Sequence, residues 1–266
     1  MELLKQPINV ALGGGGAKGF IHAGVLDGIV SEGLEIGTIV GTSFGAIVGA
    51  LLARLSQFSP AAGGSTLERQ RQAVQDLQTL LLAADFRRLR DVRRRGALTD
   101  GSVAGKNLED WLRTYLLAEE PDDRGARFEQ LDLDLMVTVT DARTGNPLTF
   151  DRANTPSEYV YKAVRGSASL PYLFQEIELT FQGRAVLCWD VGVTGNCLFG
   201  LVHRTFPDRL TIASSLTYRG DVVDTSTGLL GAPGRPLKVA GQVFDCMMRH
   251  QEANQLQSLN PAEHTD

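Results

Sequence analysis

Thr38-Ile39-Val40-Gly41-Thr42-Ser43-Phe44-Gly45-Ala46-Ile47-Val48 is the stretch on which the fold turns. Its β-branched opening reads as a buried strand, and Ala46 to Leu55 reads as a helix. Between them, Gly41-x-Ser43-x-Gly45 has the spacing of a nucleophile elbow. That strand-to-helix turn is so sharp that only glycine fits two residues either side of the serine. It would hold Ser43 Oγ clear of its own backbone, at a helix N-terminus whose partial positive charge favours a developing anion. A membrane span competes for the same residues. Ile36 to Ala53 carries no charge and approaches the length of the shortest spans, and Gly37, Gly41, Gly45 and Gly49 recur at the spacing of packed transmembrane helices. Against it, Thr38, Thr42 and Ser43 break the apolar surface. Glu32 and Glu35 also stand where a span would want aromatic or basic anchors. A strand and a helix of a globular fold are expected.

Upstream, Ile8 to Leu12 is a strand that runs directly into Gly13-Gly14-Gly15-Gly16-Ala17-Lys18-Gly19. A helix follows, with Ile21, Val25, Leu26, Ile29 and Val30 at helical spacing and a stop near Gly33. Successive glycines before a helix let backbone N–H groups converge on an anion. One use of that device is dinucleotide binding, whose fingerprint Gly14-x-Gly16-x-x-Gly19 fits literally. The fingerprint also needs an acidic residue at the end of the second strand, where this chain has Gly-Thr-Ser. The other use is an oxyanion hole serving Ser43. In a parallel sheet both glycine loops would emerge at the carboxyl edge, where ligands bind.

Taken together, Gly14 to Gly19, Gly24-Val25-Leu26 and Gly41-Thr42-Ser43-Phe44-Gly45-Ala46 resemble the opening of the patatin-like phospholipases. The likeness continues downstream. Arg127 to Leu131, Val137 to Asp141 and Thr144-Gly145 are similar to that family's central strand and hairpin. Arg165 to Phe174 is similar to the helix and loop that precede its catalytic aspartate, and Trp189-Asp190-Val191-Gly192 stands at that aspartate's motif. The resemblance spans roughly residues 8 to 216. It implies a three-layer α/β/α fold with a largely parallel central sheet, and an acyl-ester hydrolase acting on phospholipid or lysophospholipid without metal or organic cofactor. It also implies a Ser43–Asp190 dyad without histidine, and an oxyanion hole from the N–H groups of Gly14, Gly15 and Gly16. Lys18, where the family has a basic residue, would orient the loop or meet a phosphate head group.

The chain departs from the family pattern at two points. Val191 replaces a glycine after the aspartate, and Leu198 stands where a proline would follow Asn196. If the backbone after Asp190 needed a positive φ, valine would fit poorly and displace the carboxylate. The protein would then be a catalytically weak lipid- or acyl-binding relative; acyl transfer to an acceptor other than water is a further alternative. Phe44 is larger than the family's usual residue and would narrow the acyl pocket. The order Ser43…Asp190…His203 also suits an α/β-hydrolase triad, although Ser43 follows only the second strand and His203 precedes a surface turn. His22 reads as a packing or capping histidine.

The remaining chain is expected to form one domain over 1–266, with a core at 8–216, a helical excursion at 56–117, and a loop, helix and tail at 217–266. Ser59 to Ser65 is linker-like, and Leu67 to Ala84 and Lys106 to Leu117 are helical. The second helix carries Leu108, Trp111, Leu112, Tyr115 and Leu116 on one face. Leu133 to Thr140 and Leu148 to Phe150 are strands joined by a turn, and Ser157 to Arg165 is a helix. Glu178 to Trp189 forms two strands around Gln182-Gly183, and Leu210 to Leu216 is a last strand. Phe86 to Arg95 is the densest basic segment, with Phe86, Leu89 and Val92 every third residue. It reads either as a solvated helix or as a peripheral contact with anionic membrane.

With 266 residues, 43% hydrophobic and 21% charged, the composition is that of an ordinary globular protein. A net charge of -5 argues against a general nucleic-acid binder. Three scattered cysteines suggest a reducing compartment. Met1 to Lys5 lacks the apolar core of a signal peptide, so a cytoplasmic protein is expected.

Overall fold

The computed structural model describes residues 6–59, 64–85, 89, 105–116, 125–171, 174–193 and 195–216. The segment Phe86 to Arg95, apart from Leu89, lies outside these residues, as do the loop, helix and tail expected from 217 on. A seven-stranded sheet forms the centre. Its strands are β1 (Ile8–Leu12), β2 (Ile36–Thr42), β3 (Asp134–Asp141), β4 (Pro147–Phe150), β5 (Ile177–Phe181), β6 (Arg184–Asp190) and β7 (Thr211–Ser214). The helices are α1 (Ile21–Ser31), α2 (Phe44–Gln57), α3 (Thr66–Ala83), α4 (Lys106–Tyr115), α5 (Val160–Ser167) and α6 (Phe199–Thr205).

The sheet is mixed. β7, β1, β2 and β3 run parallel to one another, whereas β4 and β6 pair antiparallel with β3, and β5 pairs antiparallel with β6. Val137 of β3 pairs with both Gly41 of β2 and Phe150 of β4, so those two strands occupy opposite edges of β3. Thr140 pairs with both Pro147 of β4 and Trp189 of β6, which puts β6 opposite β4 as well. β2 and β6 therefore share one edge of β3 and run toward each other. Thr42 ends β2 opposite Thr138, and Asp190 ends β6 opposite Val139, the next residue along. The residue after Thr42 and the carboxylate that closes β6 thus meet head to head.

The main apolar core lies between the sheet and α1 to α5. Ile8, Val10, Leu12, Ile36 and Ile39 project into it from β1 and β2, and Leu26, Leu51, Val74, Leu77, Leu112 and Val164 come from the helices. A smaller cluster on the other face joins Ala11, Val40 and Met136 to Phe199 and Val202 of α6. The sheet thus has helices on both faces, as expected. α2 is buried on nearly every side, from Phe44 through Ala53 and again at Ser56. That burial accounts for the uncharged run that could be mistaken for a span, because a helix enclosed by sheet and helices has no polar face to show. Among the described residues no helix is long and apolar enough to cross a membrane. The four-residue glycine spacing has the same origin. A Cβ on Gly49 would lie 2.8 Å from Ile39 of the helix's own preceding strand, and one on Gly37 would lie 2.8 Å from Pro7.

Several boundaries differ from expectation. α2 runs from Phe44 to Gln57, beyond both ends of the expected helix. α5 starts at Val160 rather than Ser157, because Arg127 and Tyr159 bridge as extended backbone and Val160 N–H donates to Ala126 C=O at 2.9 Å. In α4, Leu108 and Leu112 face the core, while Tyr115 remains 43% exposed. His203 lies in the last turn of α6, just ahead of the turn at 206–209, as expected.

Candidate active site

Ser43 has φ 53° and ψ −120°, a conformation L-residues rarely adopt. The glycines around it explain how the turn is reached. A Cβ on Gly41 would lie 2.5 Å from Ala46 Cα, and one on Gly45 would run into the Leu12 carbonyl and stand 2.9 Å from Gly13 O. These neighbours are backbone, so no side-chain rotation could make room. The elbow expected at Gly41-x-Ser43-x-Gly45 is present, with Ser43 C=O accepting the first turn's N–H groups from Ala46 at 3.0 Å and Ile47 at 3.2 Å.

The Ser43 hydroxyl donates to the Asp190 carboxylate. Asp190 Oδ1 also accepts Gly192 N–H at 2.8 Å. The carboxylate is buried, with 3% of its surface exposed, and burial pushes its pKa from 3.8 up to about 6 despite those two donors, which favour the charged form. A base with a pKa near neutrality can accept a serine proton and later return it. Its neighbour Val191 does not displace it. Among the described residues only Ser43 and Gln182 are non-glycine positions with positive φ. Val191 instead opens a short 3-10 turn and packs fully buried. Val191→Gly is therefore expected to leave turnover within a few-fold of wild type and to cost about 2–3 kcal/mol of stability, from lost burial and added backbone freedom. Parallel denaturant melts and ester assays would check both halves.

The glycine loop lies against this pair. A Cβ on Gly14 would stand 3.1 Å from Ser43 Cβ and 2.7 Å from Asn196 Oδ1. Gly14 N–H, however, is directed at Asn196 C=O, 3.3 Å away. The expected trio of N–H groups is therefore not uniform. Gly15 is half-buried and Gly16 exposed with φ 55°, and their N–H groups meet no acceptor among the described residues. Lys18, itself exposed, follows on a 3-10 turn over Gly16–Phe20. Phe44, beside the serine, is turned toward the glycine loop. It is 6% exposed, packs 5.5 Å from the Phe20 ring, and its Cγ lies 2.5 Å from where a Cβ on Gly19 would be.

Sequence reasoning missed two groups of contacts here. His22, fully buried, hydrogen-bonds Gly13 C=O through Nε2 at 2.7 Å and Ser214 Oγ through Nδ1 at 2.8 Å. A carbonyl only accepts, so Nε2 carries the proton and the serine hydroxyl donates to Nδ1. Burial lowers its pKa and so favours the neutral ring that this pairing uses. It thus ties the glycine loop to the end of β7, in keeping with a packing role. The second group is Ser167 and Ser169, whose contacts with Ser43 and Asp190 depend on long-range pairing. The triad reading fails on position, because His203 is exposed on α6 and is not a partner of Asp190. Among the described residues no three His, Cys, Asp or Glu side chains gather into a metal-holding group.

A family model described as patatin-like phospholipase matches residues 10–202. Lysophospholipase NTE1 of Coccidioides immitis is 43% identical over 62 residues, 23% of this chain and 4% of that protein. Lysophospholipase NTE1 of Saccharomyces cerevisiae is 43% identical over 58 residues, 22% of this chain and 4% of that protein. The likeness thus takes in only a small part of those relatives. VipD from Legionella pneumophila shares the fold at a TM-score of 0.50 and 13% identity, covering 70% of this chain and 45% of its own.

Proposed function

Because the chain belongs to the patatin-like phospholipase family, we propose that it hydrolyses the acyl ester of a phospholipid or lysophospholipid, with Ser43 as nucleophile and Asp190 as its direct base. The observation that carries this reading is the hydrogen bond from the Ser43 hydroxyl to a buried carboxylate whose pKa burial has raised to about 6. A serine hydroxyl is a weak nucleophile until a base within hydrogen-bond reach takes its proton.

In this mechanism Ser43 Oγ attacks the ester carbonyl carbon while its proton passes to Asp190. The tetrahedral oxyanion is held by the N–H groups of Gly15 and Gly16, with Gly14 joining if its long bond to Asn196 yields. Preorganised donors of this kind are worth roughly 10²–10³ in rate each. The intermediate collapses, and the departing alkoxide takes the proton back from Asp190. Water then attacks the acyl-Ser43 carbonyl, giving its proton to Asp190, and the acid leaves as Ser43 recovers a proton. Lys18, exposed beside the loop, meets the phosphate of the head group.

Labelling with a fluorophosphonate probe tests the assignment without a known substrate. Wild type is expected to become covalently phosphonylated at Ser43, and Ser43→Ala to stay unlabelled. An unlabelled wild type, or equal labelling of the variant, overturns it. The arginine-dense segment Phe86–Arg95 belongs to the same reading as a contact with anionic lipid. Replacing Arg93, Arg94 and Arg95 with glutamine is expected to weaken binding to phosphatidylglycerol vesicles while sparing soluble esters. The attraction should fade as salt rises, which vesicle sedimentation across a salt series would measure.

A further inference from the structure

Ser43 is held in a strained conformation, φ 53° and ψ −120°, that persists only where the surroundings over-determine it. The two flanking glycines permit the turn without selecting it, since glycine admits many others. Something must also take Ser43 N–H, which stands at the start of α2 with no intrahelical acceptor. Ser167 Oγ does so at 2.8 Å, from a side chain with none of its surface exposed. Ser167 is the last residue of α5 and lies 124 positions away in the chain. Two residues on, Ser169 C=O accepts Asp190 N–H at 2.9 Å. One short turn therefore holds the backbones of both members of the reacting pair.

That turn is itself clamped. The Arg165 guanidinium donates to Ser169 Oγ at 2.6 Å, to Gly105 C=O at 3.1 Å and to Gln175 C=O at 3.0 Å. Ser169 Oγ donates back to Arg165 C=O at 3.0 Å. Arg165 is 2% exposed, so the clamp is internal.

We propose that Ser167 is a positioning residue for the reaction: by accepting Ser43 N–H it fixes the nucleophile's backbone against the turn that also carries Asp190, and so sets the reach from Oγ to the carboxylate. It acts through Ser43 and touches neither substrate nor the transferred proton. Without its acceptor, Ser43 N–H loses its protein partner in a half-buried site and the elbow relaxes away from the strained conformation. A misplacement near 1 Å is enough to cost about 10² in rate.

The role rests on Ser43 being the nucleophile, and the experiment separates the two. Ser167→Ala and Ser167→Cys are compared with wild type on p-nitrophenyl butyrate, by fluorophosphonate labelling rate, and by hydrogen exchange of the peptide containing Ser43. Ser167→Ala is expected to lower kcat about 10–10²-fold with KM nearly unchanged, to slow labelling in parallel, and to speed exchange at Ser43 selectively. Ser167→Cys, nearly isosteric with a weaker acceptor, should fall between alanine and wild type. Wild-type kcat and labelling in Ser167→Ala overturn the proposal, as does equal behaviour of the cysteine and alanine forms. If wild type is not labelled at all, the nucleophile assignment fails instead. Exchange at Ser43 still reports whether Ser167 holds that backbone, and unchanged exchange in Ser167→Ala overturns it.

Discussion

Asp190→Asn is expected to lower turnover of soluble esters about 10³–10⁴-fold, since an amide cannot accept the serine proton and general-base catalysis contributes on that scale. In wild type, kcat/KM should rise with pH and level off above about 6, following the ionisation of Asp190. The same substitution is expected to stabilise the fold at neutral pH. The folded-state pKa of Asp190 lies above its ordinary value of 3.8, near 6, so folding favours the protonated acid. Its stabilising contribution is complete below pH 3.8 and lost as pH rises through about 6, leaving a buried charge that costs on the order of 3 kcal/mol. Asparagine keeps an acceptor for Ser43 and Gly192 but never ionises. The stability gain of Asp190→Asn should therefore be near zero at pH 3.5, grow between pH 4 and 6, and level off above. Denaturant melts across that range check it. A flat difference, or an Asp190→Asn form with wild-type turnover, would remove Asp190 from the role of base.

Gly45→Ala is expected to carry the largest stability loss among single substitutions at the elbow, about 4 kcal/mol or more, the range of severe packing faults. Its Cβ would collide with the Leu12 carbonyl and approach Gly13 O to 2.9 Å. Relief requires α2 to lift from the end of β1, moving Ser43 and the glycine loop apart together. Urea melts beside wild type measure the loss. As a control, Gly24→Ala on α1 meets nothing within 4 Å and should be neutral or slightly stabilising, because alanine is the better helix former.

The reading of Ser43 depends on local rules alone. A β-branched strand, two glycines at fixed offsets and an apolar helix can be recognised within a dozen residues, because the steric limits of a tight turn are themselves local. The same holds for β1 and its glycine loop, the hairpin at Gln182-Gly183, and the core faces of α1 and α3, each set by a short-period pattern. Chain order and local pattern did not reveal how Asp190 comes to Ser43. That depends on β6 running antiparallel along the edge of β3 that β2 has already used, so that Thr42 and Asp190 end opposite consecutive residues. Strand pairing across some 150 residues is chosen by the packing of the whole sheet and leaves no mark on either strand's own sequence. Three other features were decided in the same way. Gly14 N–H turns to Asn196, and Phe44 packs beneath Gly19. Val191 is tolerated because the backbone after Asp190 needs no positive φ. Local sterics wrote the turn at Ser43 into the sequence, and only the tertiary fold, through long-range pairing and burial, placed a carboxylate beside it and raised its pKa.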